Sequence, residues 1–124
     1  MEHPLTHHYQ RDSILSLPPE RIVLKLHDKF LQRITQAEDA LQSGDRAAMG
    51  VAISKALEIV NALQEALDRG VETDIVPRLD ELYQALRGWL MQANRERRSQ
   101  PLEWCCRVMA VLRDGWEGVI RQTA

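Results

Sequence analysis

The sequence predicts an all-α protein: an antiparallel, up-down-up-down four-helix bundle preceded by a flexible N-terminal segment. Apolar residues recur at steps of three and four through residues 17–120, which places them on one face of each helix. Short polar segments interrupt this pattern at three points. Short turns force neighbouring helices to run antiparallel, and four amphipathic helices bury their apolar faces most simply as a bundle.

Composition limits the classes of partner. The chain has 124 residues, enough for one domain with its own core, and a formal net charge of -2. Its basic cluster Arg95, Arg97 and Arg98 is short and interrupted by Glu96, so nucleic acid is not expected as a partner. No apolar run approaches the roughly 20 residues that span a bilayer, and residues 1–10 do not resemble a secretory signal. We therefore expect a cytosolic protein without membrane insertion.

The helix boundaries follow from caps, prolines and glycines. Residues 1–16 are expected to form the flexible N-terminal segment, and residues 17–124 the bundle domain. Helix one is predicted over 17–43, with Pro18 and Pro19 in its first turn and Gly44 after its end. Helix two is predicted over 45–69, capped by Asp45 and ended by Gly70.

Helix three is predicted over 74–95, with Pro77 in its first turn, and helix four over 99–122, with Ser99 as its cap and Pro101 just inside. One residue per turn of each helix should face the bundle interior. The residues expected to be largely buried are Leu26, Phe30, Ile53, Val60, Leu63, Leu82, Leu86, Met109, Leu112 and Trp116.

The sequence lacks the side-chain patterns of the usual catalytic and metal sites. No glutamate has a histidine three residues later, as di-iron bundles require, and three of the four histidines lie within residues 1–10. Cys105 and Cys106 are adjacent in a helix and cannot form an ordinary disulfide, so both should be reduced thiols, with Cys105 on the buried face. We expect no catalytic residue, metal or cofactor.

Some apolar residues lie off the main buried faces. On helix one they lie about 120° away, and on helix four they form a second stripe beside the first. On helix two an isoleucine stands among small alanines, where another helix could approach closely. These residues are Leu24, Leu31, Ile59, Trp104, Val108 and Val111. Surplus apolar surface usually binds a partner, and amphipathic helices are its natural ligands.

The chain resembles the flagellin export chaperones, the FliS family, from Tyr9 to about Ile120. The resemblance lies in the order and spacing of short pieces along the whole chain. In order, they are Tyr9 ahead of helix one, Pro19 to Asp28, Gly44-Asp45, Lys55-Ala56 followed by Ile59 and Leu63, Leu79 to Tyr83, Ala93-Asn94 and Trp116. His27 stands where this family usually has an aromatic residue.

The resemblance implies a cytosolic chaperone without enzymatic activity. Such a chaperone binds the C-terminal segment of flagellin, prevents its premature polymerisation and presents it to the flagellar export gate. The resemblance also implies that the segment containing Tyr9 shields part of the client groove when no client is bound. Combined with the surplus apolar stripes, this makes Tyr9, Leu24 and Leu31 candidate flagellin-binding residues. The others are Ile59, Trp104, Val108 and Val111.

Two alternatives remain open from the sequence. His27 is the one histidine inside a predicted helix, and phosphotransfer bundles use an exposed helical histidine as nucleophile. The residues after it, Asp28, Lys29 and Phe30, do not follow the pattern of those bundles, which favours a structural histidine at the core edge. Alternatively, the surplus stripes serve self-association, as in a helical adaptor that forms a homodimer.

Overall fold

The structure, a computed structural model, describes residues 19–67 and 75–123. These residues form four helices and no strand. Helix α1 spans Pro19–Ser43, α2 spans Arg46–Glu65, α3 spans Ile75–Glu96 and α4 spans Gln100–Thr123. The all-α prediction is confirmed, and the helix ends that lie within the described ranges agree to within a few residues. The expectation of a flexible segment over 1–16 lies outside the described residues.

The helices surround one core in chain order. Both α1 and α3 pack against α2 and α4, so the helices form a ring in which α2 and α4 are diagonal. Between α3 and α4, the Cys105 thiol lies 3.7 Å from the Leu86 carbonyl, and Trp89 lies beside Trp104. From Leu86 to Trp89 the residue numbers rise along α3, while those of their contacts on α4 fall from Cys105 to Trp104. The two helices are therefore antiparallel.

The core consists of the apolar faces that the sequence pattern predicts. Seven of the ten expected core residues are buried. They are Leu26, Phe30, Ile53, Val60, Leu63, Leu86 and Met109. Leu112 packs against the core while half-buried, and Trp116 is also half-buried. The interior of this bundle therefore follows the spacing of apolar residues closely.

The prediction for Leu82 is wrong, because its side chain is 37% exposed. The buried face of α3 is set by Tyr83, Leu86 and Leu90, and Tyr83 takes the interior position that Leu82 was expected to fill. Adjacent helical residues point about 100° apart. With Tyr83 directed inward, Leu82 lies on the flank of α3.

The turn between α1 and α2 closes with two complementary caps. Gly44 adopts a left-handed φ of 74°, and the amide of Asp45 donates to the Ala40 carbonyl at 2.9 Å, as in a Schellman motif. The Asp45 carboxylate then accepts a hydrogen bond from the amide of Ala48 at 3.0 Å, which caps α2. Both residues act as the sequence predicts.

Candidate binding surface

An open apolar cavity lies between α3 and α4. Its volume is about 350 Å³, and its lining residues are Trp89, Trp104, Arg107 and Val108. The two indole rings lie with their centroids 5.8 Å apart and their planes at 59°. Both tryptophans are half-buried, so each packs against the bundle while part of its ring faces solvent. Tryptophan in this setting offers a partner a large, rigid apolar surface.

Two exposed apolar residues lie on the same flanks of α3 and α4 as the residues that line this cavity. Leu82 lies seven residues before Trp89, and therefore on the same flank of α3 two turns away. Val111 lies one turn after Val108 on α4 and is 72% exposed. We call the cavity together with these two residues the α3–α4 groove. It consists of Leu82, Trp89, Trp104, Arg107, Val108 and Val111.

Leu24 and Leu31 lie on a different surface, between α1 and α4. Asp28 lies between them in sequence on the same side of α1, and its carboxylate binds the Arg113 guanidinium of α4 at 2.8 Å. Arg113 also pairs with Glu117, and Asp28 is the main cause of the raised pKa of the Arg113 guanidinium. We call Leu24, Asp28, Leu31 and Arg113 the α1–α4 surface. The predicted stripes thus occupy opposite flanks of α4 instead of one groove.

Ile59 is not on either surface, which corrects its predicted position on an open strip of α2. Its side chain is 2% exposed. Asn61 and Gln64 of α2 face α3, where both accept hydrogen bonds from Arg87. Ile59 points about 160° away from Asn61, at about 100° per residue, and so lies on the flank that packs against α1. The strip where another helix could approach closely is filled by a helix of the same chain.

Tyr9 lies outside the described residues. The sequence interpretation missed Trp89 and Leu82 as parts of the groove. A signal for them exists in the sequence, because their spacing of seven residues gives α3 a second apolar stripe like that of Trp104, Val108 and Val111 on α4. The same spacing is compatible with a wide core face, so only the position of α4 shows that this stripe borders a groove.

His27 is a buried core residue. Its side chain is fully buried, its Nδ1–H donates to the Val23 carbonyl at 2.7 Å, and its ring centroid lies 6.4 Å from that of Tyr83. Burial lowers the pKa of His27, against smaller opposing effects of the Val23 hydrogen bond and the Asp28 carboxylate. A fully buried imidazole is not accessible to a phosphoryl donor on another protein, so the phosphotransfer alternative is not supported.

The two cysteines divide as expected. Cys105 is buried, and burial raises the pKa of its thiol to about 12, so it is not a ready nucleophile. Cys106 is exposed as a free thiol on the outside of α4. Within the described ranges, no group of three or more histidine, cysteine or acidic side chains is placed to hold a metal ion.

None of the helices, over their described residues, is both long and apolar enough to cross a bilayer. The bundle has two surfaces with apolar residues, the α3–α4 groove and the α1–α4 surface, which lie on opposite flanks of α4. This arrangement is typical of a protein that binds another polypeptide.

Comparison with known proteins identifies the family. Residues 1–123 match the family described as flagellar protein FliS. The flagellar secretion chaperone FliSB of Pseudomonas aeruginosa is 29% identical over 101 residues, which cover 82% of this chain and 80% of that protein. The flagellar secretion chaperones FliS of Vibrio cholerae and Salmonella typhimurium are each 29% identical, over 87% and 86% of this chain and 80% of each relative.

The chain therefore belongs to the FliS family of flagellar secretion chaperones. This confirms the resemblance seen in the sequence. It also confirms that the protein is not an enzyme, because the family is one of chaperones. A flagellar protein is accordingly the class of partner that the chain serves.

Proposed function

We propose that this protein is a cytosolic chaperone that binds the C-terminal segment of flagellin, prevents its premature polymerisation and assists its export. The family membership supports a flagellar client. The observation that carries the binding proposal is the α3–α4 groove, with its open apolar cavity of about 350 Å³ beside the half-buried pair Trp89 and Trp104. A groove of this kind suits the apolar face of an amphipathic helix.

The positions of the two surfaces suggest how a client would bind. The α3–α4 groove and the α1–α4 surface lie on opposite flanks of α4, so one polypeptide that contacts both must cross the outside of that helix. An unfolded segment can follow such a path, because it can fold in separate pieces on separate surfaces. The candidate client-contacting residues are Leu24, Leu31, Trp104, Val108 and Val111, with Trp89 and Leu82 added. Ile59 is omitted because it is buried.

Ordering the client has an entropic cost, which limits affinity and so permits release at the export gate. Wrapping also covers the apolar face that the client would otherwise present to other flagellin molecules. Tyr9 and the residues around it are proposed to shield the α3–α4 groove in the client-free protein. Displacement of this segment by the client would then couple binding to exposure of the groove.

Co-expression of the chain with flagellin from the same organism tests the proposed function. A tagged chaperone should retain full-length flagellin through purification and should not retain flagellin that lacks its C-terminal segment. In a separate assay, added chaperone should delay filament growth from purified flagellin monomers. Equal retention of both flagellins would contradict C-terminal binding. Filament growth at an unchanged rate, with stoichiometric complex present, would contradict the role against polymerisation.

A further inference from the structure

We infer that Arg107 recognises an acidic side chain on an amphipathic helix of the client, beside an apolar side chain that enters the cavity at Trp89 and Trp104. This inference rests on the proposed function and adds a requirement on the chemistry of the client. Among the described residues that line the cavity, Arg107 is charged and the other three are apolar.

Arg107 is exposed at the edge of the groove. Among the residues that the structure describes, it has no ion-pair partner. Arg113, six residues later, is different, because Asp28 and Glu117 both pair with it. Arg95 and Arg98 in turn share the carboxylate of Glu96. Of these arginines, Arg107 alone borders an apolar cavity with its donors available to a ligand.

The neighbouring helix supplies no carboxylate to Arg107. The Leu86–Cys105 and Trp89–Trp104 contacts set the register of α3 against α4. In that register the segment of α3 opposite Arg107 is residues 82–86, which contains leucine, tyrosine, glutamine and alanine and no charged residue. Along α4 itself, Glu103 lies one turn earlier. On α1, burial raises the pKa of the Glu38 carboxyl, and the nearby Glu103 carboxylate adds to this effect. An exposed pair within one helix is weak, so a pair between Glu103 and Arg107 would not prevent binding of an external carboxylate.

This arrangement has a defined chemical preference. A guanidinium presents a planar set of N–H donors that matches a carboxylate in two-point geometry. An apolar wall on one side reduces solvent around that pair and strengthens it relative to a fully exposed pair. A client helix that has an acidic residue one turn from an apolar residue would therefore make both contacts at once. The acidic side chain would pair with Arg107, and the apolar side chain would fill the cavity. A basic residue at that position would be repelled, which gives the groove selectivity as well as affinity.

Isothermal titration of the full chain with the C-terminal flagellin segment tests the inference. Arg107→Gln should weaken binding about threefold to tenfold, and Arg107→Glu more than about tenfold. Lys55→Gln and Lys55→Glu are the matched controls, because Lys55 is exposed on α2, which is diagonal to α4. Both controls should bind within about twofold of the unmodified chain. The affinity of the unmodified chain should fall as salt is raised, and Arg107→Gln should show a smaller salt dependence.

A charge exchange identifies the client residue. Each acidic residue of the flagellin segment is changed to lysine, and one such variant should bind Arg107→Glu better than the unmodified segment does. If Arg107→Glu binds as tightly as Lys55→Glu while Val111→Asp binds weakly, the groove is correct and the role of Arg107 is wrong. If the unmodified chain does not bind the segment, both the proposed function and this inference are wrong. If Arg107→Glu changes the oligomeric state of the client-free protein, the groove binds a second copy of the chain. This result would also overturn the inference.

Discussion

The indole of Trp89 on α3 lies against the indole of Trp104 on α4, with ring centroids 5.8 Å apart and planes inclined at 59°. Tilted aromatic pairs contribute about 0.5–1.5 kcal/mol beyond the area that they bury. This pair therefore holds the outer edges of α3 and α4 together, and its remaining exposed surface forms the wall of the cavity. One contact thus stabilises the bundle and shapes the candidate binding site.

Removal of residues 1–12 should increase access to the α3–α4 groove. The truncated chain should remain helical over the four helices, because it keeps every residue of the described core. We expect greater fluorescence from a dye that binds apolar surface, and client binding at least as tight as that of the full chain. Tyr9→Ala should give part of the same increase. Unchanged dye binding by the truncated chain would mean that this segment does not shield the groove.

His27 should make stability depend on pH. The pKa of the buried imidazole is below its ordinary value of 6.5, so at pH values just below 6.5 the unfolded chain binds a proton that the folded chain does not. Stability should therefore be greatest above pH 6.5 and fall as the pH decreases, by up to about 1.4 kcal/mol per pH unit until the folded pKa is reached.

His27→Phe is the matched variant, since it keeps a ring of similar size and cannot be protonated. Urea unfolding at about pH 7.5 and about pH 5.5 should show a smaller loss of stability for this variant than for the unmodified chain. Identical losses would mean that other groups determine the pH dependence.

Gly44 and Arg97 both have a left-handed backbone conformation. Replacing Gly44 should therefore lower the stability of the chain, whereas placing glycine at position 97 should raise it. Gly44 has a φ of 74°, and beyond its two chain neighbours no residue has an atom within 4 Å of the position that a Cβ would take. Gly44→Ala should therefore cost about 1 kcal/mol through the backbone alone. Arg97 has a φ of 55° after the end of α3, so Arg97→Gly should stabilise the chain by about 0.5 kcal/mol. Thermal unfolding of both variants measures these effects, and a stabilising Gly44→Ala would refute the backbone explanation.

The two cysteines should differ in reactivity. A disulfide reagent should modify one thiol per folded chain quickly, because Cys106 is exposed and Cys105 is buried with a thiol pKa of about 12. Cys106→Ser should remove the fast reaction and leave the second thiol reactive only in denaturant. Rapid modification of two thiols in the folded chain would show that α4 opens readily near Cys105.

The fold could be predicted from the sequence because each helix carries a regular apolar face and recognisable ends. Phe30 and Met109 are buried where the spacing places them, and Gly44 and Asp45 form the turn that their chemistry favours. Leu82 was misplaced because a residue on the border of an apolar face can turn inward or outward, and the choice depends on its neighbour Tyr83.

The candidate site was only partly predictable. The stripe of Trp104, Val108 and Val111 is visible from periodicity, but the sequence does not say which helix lies beside it. Ile59 belongs to a similar stripe and is covered by α1, whereas Val111 remains open to solvent. Which apolar stripes stay exposed depends on the ring order of the helices and on their register, and neither can be obtained from helical spacing alone.

A pair of valine variants tests whether the client binds in the α3–α4 groove. Val111 in the groove is 72% exposed and Val51 on α2 is 55% exposed, so aspartate at either position should leave the bundle folded with a similar melting temperature. A charge placed in a desolvated interface disfavours binding. Titration with the C-terminal flagellin segment should show that Val111→Asp weakens affinity by at least about tenfold, or about 1.4 kcal/mol, while Val51→Asp binds normally. Normal binding by a folded Val111→Asp variant would show that the client does not bind in the α3–α4 groove.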